Sequence, residues 1–276
     1  MAYKDILIYL DDGKSNQERI LTAFDMAKSF NARLTAVTLS ALKPSHMIVK
    51  DTTAQYNISY QEAEKRIAVF VKQAKSLGID FDTKIIDQSA GKGLRKSFAQ
   101  YCRNFDLVIF RQANPQNRNF EMIESISSKL VVHCGRPVFF MPYIGAHRIP
   151  AKKALIAWDG TATATRAVHD SLPILKQVEE VTLLVVSEGK KKTAKGELLA
   201  DDLTAHLCRH GVNAHVRRTS TGTYPVATVI LNHIAENSLD LLVMGSYGTS
   251  ELQRKVFGGV TKKILECMIT PVIMSH

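Results

Sequence analysis

The 276-residue chain has no run of 18 apolar residues, so nothing in it reads as a membrane-spanning helix. Its N-terminus, MAYKDILIYLDD, enters an apolar run directly and lacks a signal-peptide layout, and a cytoplasmic location is expected. Only four cysteines occur (Cys102, Cys134, Cys208, Cys267), and no two form a C-x-x-C pair. That scatter points to reduced, buried thiols rather than a disulfide framework. His206 and His210, one helical turn apart, are the nearest approach to a metal motif, and no carboxylate or thiol completes it. No P-loop lysine, no nucleophile elbow and no paired acidic ligands for Mg²⁺ are present, so machinery for dedicated turnover is missing.

Charge of one sign is in modest excess. Residues 1–148 carry 21 Lys/Arg against 14 Asp/Glu, and residues 149–276 carry 15 against 12. The excess is spread along the chain, with Lys190-Lys191-Lys192 the one dense run, and no nucleic-acid-binding motif accompanies it. A solvated basic surface is therefore expected before a nucleic-acid partner.

What is present is one unit written twice. Ile6-Leu-Ile-Tyr-Leu-Asp11 matches Ala154-Leu-Ile-Ala-Trp-Asp159 at an offset of 148, and Leu34–Leu39 falls on Thr182–Ser187 at the same offset. Further on, Asp106-Leu-Val-Ile-Phe matches Asp240-Leu-Leu-Val-Met at an offset of 134, which also sets Pro137 on Pro271. The 14-residue difference falls near residues 40–60, where the first copy has an insertion. Within each copy, short apolar runs alternate with helical patterns. The second copy predicts strands at 153–158, 180–186, 212–219, 239–244 and 271–275, with helices between. Runs that are apolar at every position suit strands covered on both faces, hence parallel sheets with right-handed crossovers. The expected fold is α/β: two tandem, doubly wound, five-stranded parallel-sheet domains of Rossmann-like type, at 1–148 and 149–276. Ligands of such units bind beyond the carboxyl ends of the strands. Asp159, Val186, Gly222 and Gly245 all stand there.

The last strand but one runs into Gly245-Ser-Tyr-Gly248, and nine residues later Gly258-Gly259-Val260-Thr261 opens a helix. Glycine turns beside a helix N-terminus offer free backbone N–H groups and a positive dipole end to an anion. With the Pro-Val strand that follows, this pattern resembles the universal stress protein family in its tandem form, with an adenine nucleotide alpha hydrolase-like fold. The resemblance implies that Asp159 contacts the nucleoside, that Val186 meets adenine through its backbone, and that Gly245, Gly248 and Gly258 hold ribose and phosphates. Where the family has Ser or Thr, this chain has Gly259, so the resemblance implies either that a phosphate hydroxyl contact is lost or that Thr261 replaces it from the first helical turn. The implied ligand is ATP or AMP, with or without Mg²⁺, bound by a regulatory stress-response module.

The first copy is its own control. Gly245, Gly248, Gly258 and Gly259 align with Arg111, Asn114, Glu124 and Ser125. The glycines have gone, and Glu124 would face the phosphates with a like charge. No nucleotide is expected there, and the first half reads as a partner docked to the second as a pseudo-dimer through strands 137–141 and 271–275. The alternative for this half is a different ligand, with the insertion from Ala41 to Tyr60 as an apolar wall. Two whole-molecule alternatives also stand: a weak ATPase or nucleotidyl-transfer enzyme, and a protein-interaction or chaperone module with an empty site. The protein partner, and whether chains pair further as a homodimer, are not specified by sequence.

Overall fold

A computed structural model describes residues 2–40, 52–87, 93–117, 119–145, 149–187, 194–246 and 259–276. The first half runs β1 (Asp5–Leu10), α1 (Asn16–Phe30), β2 (Arg33–Ser40), α2 (Thr52–Ser76), β3 (Phe81–Asp87), α3 (Leu94–Tyr101), β4 (Leu107–Arg111), α4 (Phe120–His133) and β5 (Val138–Met141). The second repeats it as β6 (Lys153–Trp158), α5 (Ala162–Leu175), β7 (Glu180–Ser187), α6 (Ala194–Arg209), β8 (Ala214–Ser220), α7 (Val226–Glu236), β9 (Leu241–Gly245), α8 (Gly259–Cys267) and β10 (Val272–Ser275). The expected strand pattern is met element by element. Part of the first-half insertion lengthens a helix, since α2 has 25 residues and α6 has 16. Met47, Ile48 and Val49, the expected apolar wall, lie outside the described residues.

All ten strands form one sheet, in the order β3-β2-β1-β4-β5-β10-β9-β6-β7-β8. Within each half every pairing is parallel. The halves meet where β10 pairs antiparallel with β5, Ile273 opposite Phe139. Successive side chains of a strand point to opposite faces, and the core divides accordingly. Ile6, Ile8, Ile156 and Ile273 pack under α1, α2, α5 and α6 in one layer. Leu7, Phe110, Leu155 and Val272 pack under α3, α4, α7 and α8 in the other. Both layers run unbroken across the junction.

Local chemistry fixes the helix ends that matter for the site. Thr161, in an extended conformation, caps α5 by accepting from the Ala164 N–H. Asn31 closes α1 in the left-handed region at φ 48°. Cys102 and Cys134 are buried as expected, and burial pushes both thiols up. Cys208 and Cys267 are exposed, a correction to the expectation that all four are buried. Each sits on a helix face that the sheet does not cover.

Candidate functional site

At the carboxyl ends of β6, β7 and β9 lies a cavity of about 240 Å³. Its walls are apolar: Ala157, Leu184 and Met244 from the sheet, and Val226 and Ile230 from α7. Its rim carries Asp159, Val186, Gly245, Gly259 and Thr261, five of the seven residues anticipated from sequence. Gly248 and Gly258 lie outside the described residues, as do Lys190–Lys192 and the Arg254-Lys255 pair. The topology explains the convergence. β9 and β7 flank β6 on either side, so three strand ends and the first turn of α8 share one mouth.

The Asp159 side chain is exposed, and one oxygen is occupied locally. Its Oδ1 accepts from the Thr161 backbone N–H at 3.0 Å and from the Thr161 hydroxyl at 2.6 Å. That turn holds the carboxylate at the rim next to the N-terminus of α5. Trp158 lies in the opposite core layer with Ile156 and also borders the cavity. It is 6% exposed, and among the described residues its Nε1–H has no hydrogen-bond partner.

Gly245 has a packing reason that sequence reading missed. A Cβ built there would sit 2.4 Å from the Ala164 backbone nitrogen and 2.7 Å from the Thr163 carbonyl carbon. No side chain fits against backbone at that distance, so glycine lets the start of α5 close onto the end of β9. Gly259 differs, since among the described residues a Cβ there would meet nothing within 4 Å. Thr261 is buried at 4% exposure in the first turn of α8.

The equivalent space in the first half is filled by its own side chains. Tyr9 stands where the second half has Ala157, and Phe110 where it has Met244. Their rings stack at 4.7 Å, with Phe98 of α3 closing on them at 5.9 and 5.8 Å. Arg111, in place of Gly245, crosses to Asp11 and bonds its Oδ2, and Arg19 bonds Oδ1 at 2.8 Å. Arg19 also donates through Nε to the Tyr9 carbonyl at 2.8 Å. Burial alone would raise the Asp11 carboxyl; the charges of Arg19 and Arg111, with hydrogen bonds from Arg111 and Gly13, hold it at about 2. The carboxylate equivalent to Asp159 is thus buried and already neutralised. Glu124, expected to repel phosphate here, lines a cavity of about 550 Å³ with Lys262 and Glu266 of α8. Three aromatic rings and an arginine pair thus surround Asp11, where the second half has small residues around Asp159.

Among the described residues no three His, Cys, Asp or Glu side chains are grouped to hold a metal ion. The His206 ring contacts those of His210 and His169, with centroids 4.5 and 5.2 Å apart. Burial, with the neighbouring His210, His169 and Arg209, lowers the His206 pKa. No described helix is long and apolar enough to cross a membrane.

Comparison with known proteins bears on the fold. Residues 150–276 match the model of the universal stress protein family. A universal stress protein from Archaeoglobus fulgidus superposes with a TM-score of 0.74 at 16% identity, covering 98% of this chain and 95% of that one. A functionally unknown protein from Pseudomonas aeruginosa superposes with a TM-score of 0.62 at 12% identity, covering 99% and 92%. At such identities the likeness is one of fold, and it extends over both halves. No curated protein sequence gives a significant match.

Proposed function

We propose, from the premise that residues 150–276 are a universal stress protein domain, that the second half binds one adenine nucleotide and the first half binds none in this mode. The observation that carries this reading is the contrast between equivalent positions. Where the second half has Ala157, Met244 and Gly245 around an open cavity, the first has Tyr9, Phe110 and Arg111 around a filled one. Apolar walls suit a flat heterocycle, while a rim carboxylate and free backbone groups suit ribose and phosphate. Asp159 takes the ribose hydroxyls, the Val186 backbone meets the base edge, and Gly259 and Thr261 with Gly248 and Gly258 cradle the phosphates. A cavity of about 240 Å³ encloses a nucleoside and leaves the phosphate chain outside it. ATP and AMP are then told apart beyond the cavity mouth, where Mg²⁺ would also act.

The domains at 1–148 and 149–276 act as an intramolecular pseudo-dimer, with nucleotide occupancy as a regulatory signal in a cytoplasmic stress response. Turnover is not required by this reading. The chain's sole tryptophan borders the cavity, so it reports directly on occupancy. Titration with ATP should change Trp158 fluorescence saturably, and Asp159→Ala should weaken the response about tenfold, the loss of a hydrogen bond to a charged group. A titration that Asp159→Ala leaves unmoved would remove the carboxylate from the site. Steady ATP hydrolysis abolished by the same substitution would replace the binding module with an enzyme.

A further inference from the structure

The charge excess of the first half has a location in the fold. Arg95 and Lys96 on α3, Arg103 just beyond it, and Lys129 and His133 on α4 line a groove of about 240 Å³. Ala99 and Gln100 complete its lining, which contains no carboxylate. Some surface cations elsewhere have counter-charges: Arg218 with Asp201 at 2.7 Å, Lys262 with Glu266 at 3.8 Å, Lys153 with Glu180 at 3.7 Å. Among the described residues none of the five groove side chains is in an ion pair. Two of the arginines are instead positioned by neutral oxygens of α4. Arg103 donates from Nε and a terminal nitrogen to the His133 carbonyl at 3.3 and 3.1 Å, and Arg95 donates to the Ser125 hydroxyl. Each therefore keeps its full charge while its reach is fixed across the groove.

We propose that this groove is an anion site for a compact, multiply charged phosphate, of the size of inorganic triphosphate. Lys96 on α3 and Arg103 just beyond its end face Lys129 and His133, one turn apart on α4. A turn is about 5.4 Å long, comparable to the separation of the two end phosphorus atoms of a triphosphate. Four permanent cations without a counter-charge raise the local concentration of such an anion and repay its desolvation. No aromatic ring lines the groove, so it offers no platform for stacking a base, which sets it apart from a single-stranded nucleic-acid surface. The site is independent of the nucleotide cavity, which lies in the other half.

The test is calorimetric titration of the full chain with inorganic triphosphate at low ionic strength, on the wild type and on Lys96→Gln/Lys129→Gln. Both lysines are exposed, and a melting curve checks that the variant folds. The expected result is one saturable site, weakened at least about tenfold by the double substitution, as follows from removing two charges near a polyanion. The control Lys28→Gln/Lys75→Gln removes two exposed cations of the same half outside the groove and should leave the affinity unchanged. The Trp158 response to ATP should survive both double variants. No heat from the wild type, an unchanged affinity in the groove variant, or equal weakening by the control would each overturn the proposal. So would single-stranded RNA that binds more tightly than triphosphate and is lost in the groove variant, because the surface would then be an extended nucleic-acid contact.

Discussion

Asp11 and Asp159 end equivalent strands, yet one is sealed between two guanidinium groups and the other stands at an open rim. The Asp11 pKa is depressed from 3.8 to about 2 in the folded chain. A depressed carboxyl stabilises fully above its unfolded value and loses that contribution as pH falls toward the folded one. The window is therefore from about pH 4 down to about pH 2. Replacing Asp11 with Asn strands two buried arginines, and should cost about 3 kcal/mol at neutral pH. Urea unfolding of wild type and Asp11→Asn between pH 6 and pH 3, a range chosen to enter that window at about its upper edge, should show the difference shrinking as acid is added. A constant difference across that range would mean the arginines are not held by the carboxylate charge. Two glycines give a second contrast. Gly245→Ala drives a Cβ into α5 backbone and should destabilise by about 1–3 kcal/mol in thermal melts, whatever it does to ligand. Gly259→Ser meets open space, should leave stability within about 0.5 kcal/mol, and should strengthen ATP binding by adding a hydroxyl at the helix start.

Among the elements, most of the fold was legible in the sequence, for reasons that can be named. Runs such as Leu241-Leu-Val-Met are apolar at every position because both faces of the strand are covered, and that pattern needs no long-range knowledge. Thr161 before α5 is a capping residue readable from its type alone. The rim of the cavity was legible because topology places strand ends together. What closes the first-half site was not. Tyr9, Phe98 and Phe110 come from β1, α3 and β4, and Arg111 reaches Asp11 across 100 residues, so their contact depends on strand order. The repeat did carry a signal. Ala157, Ala167 and Gly245 become Tyr9, Arg19 and Arg111, three small residues exchanged for three large ones around one retained Asp. Gly245 was read as room for a ligand because the approach of α5 is invisible in sequence.

On the scale of the whole molecule, the two halves share one sheet and two continuous core layers, and the junction carries specific polar contacts. Gln112, 2% exposed, donates its amide to the Leu265 and Glu266 carbonyls at the end of α8, both at 3.0 Å, and accepts from the Tyr143 N–H. Tyr3 donates to the Asp170 carbonyl at 2.6 Å on the other face. Gln112→Ala would remove three part-buried hydrogen bonds and should lower stability by about 2 kcal/mol while the unfolding transition stays single. Two separate transitions in the wild type would contradict the continuity of the cores. The outer strands β3 and β8 show alternating exposure and carry Lys84, Arg217 and Arg218, which guards the two free edges of a long sheet. The claim that joins these scales is that one half is open to nucleotide and the other is closed by its own side chains. Native mass spectrometry with ATP tests it most directly, on chain carrying Lys96→Gln and Lys129→Gln so that the α3–α4 groove cannot contribute. One nucleotide per chain, lost on Asp159→Ala, is the predicted result; two per chain, or one that survives Asp159→Ala, would contradict it.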